Sequence, residues 1–227
     1  MAGGTTGSVW RNRRAGGCFC APVRLAETSF RRGEGPMLII LRHGRTEANA
    51  SGLLQGRRID PGLDALGQRQ AAALAVALPG VARVVASPLR RAQETAAVFG
   101  LPVEIDERWI ELDYGTLDGT PLAEVPPAVW ATWQADINFR PGGGESLAQL
   151  GVRVRAAAED LAASAAGSDV VVVTHVSPIK AAMAWALGVG DDVAWRSFVA
   201  PASITRVATS PRVSLQGFND TAHLEGR

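Results

Sequence analysis

Cysteine is nearly absent from this chain of 227 residues: Cys18 and Cys20 lie one residue apart near the N-terminus, and there are no others. That is too few for a disulfide framework or a cysteine-rich metal site. The folded body is expected to be cysteine-free, which suits a reducing cytoplasm. An excess of charge is missing too. Lys and Arg number 23 and Asp and Glu 22, so the formal net charge is +1. No global field then favours nucleic acid or a membrane surface, and any positive potential must be local. No apolar run approaches the roughly 20 residues needed to cross a bilayer. The basic residues Arg11, Arg13 and Arg14 precede AGGCFCAPV, but Pro22 and Arg24 cut that segment too short for a secretory signal. Residues 1–36 read instead as a Gly- and Arg-rich disordered extension before a domain over 37–227. Met37, at the head of the first strand, offers an alternative translation start. What remains has an ordinary composition: 47% hydrophobic and 20% charged residues, as in a soluble globular domain with a substantial core.

The pattern alternates short apolar runs with helical ones. Strands are expected at 37–42, at RVVAS (83–87), at VEI (103–105) and, most clearly, at DVVVVTH (169–175). Helices are expected at 64–78, capped by Asp64, at 89–100, stopped by Gly100 and Pro102, and at 121–135, 145–165 and 177–188. SITRVAT (203–209) and VSLQGFN (213–219) read as antiparallel strands. Residues 43–63 read as a loop rich in turn signals. This order predicts a three-layer α/β/α sandwich with a mostly parallel central sheet and an antiparallel edge.

Histidine is scarce, three in all, and two of them end strands. MLIILR stops at His43, directly after Arg42, and VVVVT stops at His175. RVVA is followed by Ser87-Pro88-Leu89-Arg90-Arg91, which opens a helix. The carboxyl ends of strands in an open α/β sheet are where ligands bind. These ends supply arginines and imidazoles, and helix N-termini add N–H donors. The combination makes a cradle for a phosphoryl dianion. Arginine gives bidentate, permanently charged contacts to phosphate. Neutral imidazole is a competent nucleophile, and neighbouring arginines depress its pKa. Taken singly, each histidine reads as a satisfied rim residue, and SPLRRAQETA as a helix with a charged face; the convergence of the strand ends outweighs that. A metal site from His43, His175 and a carboxylate is the competing chemistry, but adjacent arginines repel a divalent cation. The third histidine, His223, is expected to be structural.

These same residues carry a family resemblance. LRHGRTEAN resembles the signature of the histidine phosphatase superfamily, the phosphoglycerate mutase-like proteins, except that Arg45, read as an added positive charge at the rim, stands where many members have Glu or Gln. SPLRRAQETA resembles the family's S-x-L-x-R-A-x-x-T element and aligns Arg91, not Arg90, with its phosphate-binding arginine. ELDYGTLDG resembles the element carrying the proton donor, which falls on Glu111. PGGGES resembles the P-G-G-E-S turn with one extra glycine. VVVTHVSPIK resembles the second-histidine element, with Val176 in place of the more usual glycine. The resemblance runs over about 37–224.

The resemblance implies a mechanism. His43 attacks phosphorus and forms a phosphohistidine; Arg42, Arg91 and His175 hold the equatorial oxygens, and Asn49 adds a neutral hydrogen bond. Glu111 protonates the leaving oxygen and then activates water, with Asp106, Glu107 and Asp113 as alternative acids. Neither metal nor cofactor is required. The expected function is hydrolysis of a small phosphorylated metabolite. A phosphoglycerate mutase and a non-catalytic phosphate-binding protein are the alternatives. The segments 43–63 and 107–143, which flank the site, are modest in length and favour hydrolysis over a shielded intermediate.

Overall fold

The computed structural model describes Met1, residues 35–165 and residues 167–225. The extension expected over 1–36, with both cysteines, therefore lies outside the described residues apart from Met1, Gly35 and Pro36. Pro36 already belongs to the domain, since its carbonyl accepts hydrogen bonds from Thr209 N at 3.2 Å and Thr209 Oγ1 at 2.9 Å.

Strand β1 (Met37–Arg42) is apolar on both sides, as a strand covered on both faces must be. Alternate residues point to opposite faces. Leu38 and Ile40 enter one core with Val170 and Val172. Ile39 and Leu41 enter a second core with Val171 and Val173. The six strands run in the order β3 (Val103–Ile105), β2 (Arg83–Ala86), β4 (Val170–Thr174), β1, β5 (Ile204–Ala208) and β6 (Ser214–Asp220). The first four are parallel, and β5 and β6 add an antiparallel edge.

Helices cover both faces. Short helix α1 (Glu47–Ala50) lies in the loop after β1. Helices α2 (Ala65–Ala77) and α3 (Arg90–Ala96) send Leu74, Ala92 and Ala96 into the core that holds Ile39. Helices α4 (Pro127–Ala135), α5 (Leu147–Ser164) and α6 (Val176–Leu187) pack Trp133, Leu150, Val154 and Ile179 against Leu38 and Ile40. Leu38 and Ile40 are fully buried, each a contribution of about 2 kcal/mol relative to exposure. The three-layer architecture matches the expectation.

Three details differ from the sequence pattern. The loop after β1 contains α1, because Thr46 and Asn49 form a reciprocal capping box that holds a single turn. The helix expected over 121–135 splits into a 3-10 turn at Leu122–Glu124 and an α-helix that starts only at Pro127, since Pro121 and Pro126 are themselves held extended, at ψ 133° and 139°. The helix expected over 89–100 tightens into a 3-10 turn at Ala97–Phe99 before Gly100 closes it at φ 65°.

Register is what positions the rim. Arg42 pairs with Thr174 across β1 and β4, so His43 and His175 emerge side by side. Ala86 pairs with Val173 across β2 and β4, which sets Ser87 next to them.

Candidate active site

His43 leaves β1 with its N–H bonded to Thr174 O at 3.0 Å. Its Nδ1 lies 2.7 Å from the carbonyl of Gly44. A carbonyl only accepts, so Nδ1 carries the proton and the lone pair sits on Nε2. The ring is 3% exposed. Burial, followed by the charges of Arg91 and Arg42, holds its pKa well below the ordinary 6.5. The arginine effect expected from sequence is present, but desolvation is the larger cause.

His175 is the residue before α6 and is fully buried. Its Nδ1 accepts from Arg91 Nε at 3.3 Å, and its Nε2 lies 2.7 Å from Ser87 Oγ. Burial, then Arg91, keeps this imidazole neutral as well. The guanidinium of Arg91, in the first turn of α3, is also fully buried. It donates from Nη1 to Ile59 O at 3.3 Å and Asp60 Oδ1 at 3.1 Å, and from Nη2 to Gly56 O at 2.8 Å. Arg90 points outward and pairs with Glu94. The structure thus separates the two arginines, Arg91 buried and Arg90 exposed.

Arg42 donates from Nη1 to Val199 O at 2.7 Å, while its buried Nε has no partner among the described residues. Burial pushes its pKa down to about 10, against the upward pull of Glu111 and Tyr114. Glu111 is 3% exposed. Its Oε1 accepts from Leu112 N at 2.7 Å and from Ser177 N, in the first turn of α6, at 3.2 Å. The carbonyl of Glu111 is gripped by Arg57 Nε at 2.6 Å and Arg153 Nη2 at 3.3 Å, and both arginines are tied to Glu145. The backbone under the carboxylate is therefore held while Oε2 takes none of these bonds.

A cavity of about 390 Å³ is lined by Arg42, His43, Asn49 and Glu111, together with Gln55, Tyr114 and Lys180. Arg91 and His175 do not line it; they pack behind His43. Of the alternative acids, Asp106 binds Arg108, Asp113 caps Gly115 N, and Glu107 is exposed. Only Glu111 of the four reaches the cavity. Arg45 does not add charge to the rim, because it pairs with Asp64 at 2.7 Å. Among the described residues, no group of three or more His, Cys, Asp or Glu is placed to hold a metal ion, and no helix is long and apolar enough to cross a membrane.

Sequence reasoning missed Gln55. It sits in what read only as a turn, yet it is buried at the cavity wall. Its Oε1 accepts from Thr46 Oγ1 and Asn49 Nδ2, both at 2.9 Å. Its Nε2 has no partner among the described residues, a buried donor of the kind that a ligand oxygen satisfies. The capping box that joins Thr46 to Asn49 was the available signal for order in this loop.

The model of the histidine phosphatase superfamily, branch 1, matches residues 38–221. A bifunctional protein of Mycobacterium tuberculosis is 35% identical over 205 residues, which cover 85% of this chain and 56% of that protein. The chain thus spans little more than half the length of that curated relative. A probable phosphoglycerate mutase of Yersinia enterocolitica is 33% identical over 204 residues, or 83% of this chain and 94% of the relative. Among solved structures, a mycobacterial glucosyl-3-phosphoglycerate phosphatase in complex with VO3 superposes with a TM-score of 0.74 at 30% identity, covering 82% of this chain and all of that one.

Proposed function

Because the chain belongs to the histidine phosphatase superfamily, we propose that it hydrolyses a small phosphorylated metabolite through a phosphohistidine intermediate. The single observation that carries this reading is the state of His43: neutral, buried, with Nδ1–H fixed on Gly44 O and the Nε2 lone pair left for attack.

In this reading His43 Nε2 bonds to phosphorus as the ester P–O bond breaks, and Glu111 gives a proton to the leaving oxygen. Water then loses a proton to Glu111 and attacks phosphorus, releasing His43 and inorganic phosphate. Oε2 is the oxygen suited to this, since Oε1 is held by Leu112 and Ser177. Arg42 Nε, Asn49 and Gln55 Nε2 are the donors at the cavity wall for the phosphoryl oxygens, and Arg91, buried behind His43, adds the second N–H of Nη2 only once the entering phosphoryl group parts that packing. Such preorganised charge in a dry site is the main source of catalysis in phosphoryl transfer. Both nitrogens of His175 are engaged, so it reaches a phosphoryl oxygen by exchanging its bond to Ser87. The mycobacterial phosphatase of the same fold supports hydrolysis; the Yersinia relative favours the mutase reading. Residues 37–227 carry the whole site, and a chain starting at Gly35 is expected to keep full activity.

The test is chemical trapping. Brief exposure to a labelled phosphomonoester, quenched in alkali, is expected to leave acid-labile label on the protein. His43→Ala is expected to carry none. Full turnover by that variant would overturn the reading.

A further inference from the structure

We propose that the alcohol part of the substrate carries a flat aromatic or heteroaromatic ring that seats in a tryptophan-lined annex beside the phosphate cavity. This rests on the phosphatase reading and names the class of substrate it acts on.

The annex is a second cavity of about 250 Å³ that shares Leu54, Tyr114, Val176 and Lys180 with the first. Ser177 also lines it, and Ser177 N–H holds Glu111 Oε1. The carboxylate that meets the leaving oxygen therefore stands where the two cavities join. A group departing past Glu111 has the annex next to it.

The walls of the annex are aromatic in a defined geometry. Trp130 and Trp133 stack with centroids 5.5 Å apart and planes at 9°. Trp195 stands edge-on to both, at 6.3 Å and 5.1 Å. Such a corner of faces and edges suits a further ring, by the offset and edge contacts that aromatic pairs prefer. An apolar cavity of roughly 150 Å³ admits benzene, so this one has room for a single ring or a fused pair.

The polar atoms narrow the choice. The indole Nε1 atoms of Trp133 and Trp195 are buried with no acceptor among the described residues. Buried donors of this kind are normally satisfied, and an acceptor atom on the ligand ring would satisfy them. Among the described residues no carboxylate lines the annex itself, Glu111 standing at its mouth, and the one cation on its wall, Lys180, already donates to Ala194 O at 2.8 Å. An ammonium group seated among the indoles would meet Lys180 rather than a carboxylate. A ring with acceptor nitrogen or oxygen fits better than an amino-alcohol or a polyol.

The test compares quinolinylmethyl phosphate with glycerol 3-phosphate and phosphoethanolamine, all esters of primary alcohols. The quinolinyl ester is expected to show at least tenfold higher kcat/KM. Trp130→Ala and Trp195→Ala should each remove that advantage while leaving glycerol 3-phosphate turnover within twofold. Equal turnover of the three esters, or an advantage that survives both substitutions, would overturn the proposal. If no ester is hydrolysed, the phosphatase reading fails instead. The annex is then judged by binding of the quinolinylmethyl phosphonate, read from indole fluorescence. Saturable quenching that Trp130→Ala weakens tenfold supports the annex, and absence of quenching overturns it.

Discussion

His43 and His175 face each other with ring centroids 5.1 Å apart and planes at 57°, and their hydrogen bonds fix them in opposite tautomers. His43 gives its Nδ1 proton to Gly44 O, whereas His175 takes a hydrogen bond on Nδ1 from Arg91 and so carries its proton on Nε2. The same ring position is a donor in one and an acceptor in the other. One imidazole is thereby left with a lone pair outside its backbone bond, and the other becomes a strut between Arg91 and Ser87.

This pair makes stability sensitive to mild acid. Both histidines have folded-state pKa values well below the ordinary 6.5. Below that pH the unfolded chain binds protons that the fold refuses, so stability is intact above about pH 7 and is lost as pH falls through 6.5 toward the lower folded values. Each histidine contributes a slope approaching about 1.4 kcal/mol per pH unit. Urea midpoints are expected to fall from pH 7.5 to 5.5 with a slope that steepens from near zero to about two protons at the acid end. His43→Asn should halve the part of the slope that the pair contributes. An unchanged slope in that variant would show that His43 takes up its proton as readily in the fold as in the unfolded chain.

Arg91 and Arg90 provide an internal comparison. Arg91 is buried and spreads its donors over four acceptors, while Arg90 is exposed beside Glu94. A lysine lacks the planar fork. Arg91→Lys is therefore expected to lower kcat/KM by about 10²-fold, the scale of losing one preorganised donor in a site of this kind. Arg90→Lys should stay within twofold. Equal effects of the two substitutions would reverse the assignment made from the motif.

The strand ends were the most legible part of this sequence. Apolar runs that stop at His43, Ser87 and His175 fix both the sheet and the rim, because parallel register then aligns them without reference to any loop. Glu111 was reached by family resemblance alone. Its neighbours Asp106, Glu107 and Asp113 look alike in sequence, and only the packing of that segment decides which carboxylate faces inward. Gln55 and the Trp130–Trp133–Trp195 corner were not legible as walls of the two cavities. Their positions depend on contacts between segments far apart in the chain, which periodicity does not encode. Arg45 read as an added charge at the rim and is instead neutralised by Asp64, the N-cap of α2.

Glu111 should show its role through the leaving group. With its Oε1 fixed and its backbone clamped by Arg57 and Arg153, the carboxyl has Oε2 left for the proton transfers of the proposed mechanism. Glu111→Gln is expected to slow hydrolysis of alkyl phosphates by about 10²–10⁴-fold. A nitrophenyl phosphate, whose leaving group needs little protonation, should lose far less. Parallel losses on both esters would show that Glu111 only holds the site together.

The approach of two backbones fixes where His43 sits. A Cβ on Gly67 would fall on the carbonyl oxygen of Arg45, and one on Gly44 would lie 2.5 Å from Gly67 O. The chain after His43 thus lies directly on the first turn of α2. Gly67→Ala must push the two apart, at a cost of about 1–3 kcal/mol. Because reacting groups tolerate little displacement, kcat is expected to fall about tenfold or more even in the folded fraction. A variant with unaltered urea midpoint and kcat would show that the contact yields freely.

The charge around His43 bears on both metal dependence and the fate of the phosphoryl group. Arg42 and Arg91 are buried, and each is close enough to the imidazole to lower its pKa. A divalent cation entering beside them would meet two positive charges in a poorly screened site. In the proposed mechanism the arginines supply the charge that a metal would otherwise give to the transferring group. Activity on a phosphomonoester is therefore expected to survive a chelator unchanged, and loss of activity that a divalent metal restores would refute this. If water reaches the phosphohistidine, inorganic phosphate should appear as fast as alcohol. Rapid interconversion of 2- and 3-phosphoglycerate with little free phosphate would show instead that the intermediate is shielded and the phosphoryl group returned.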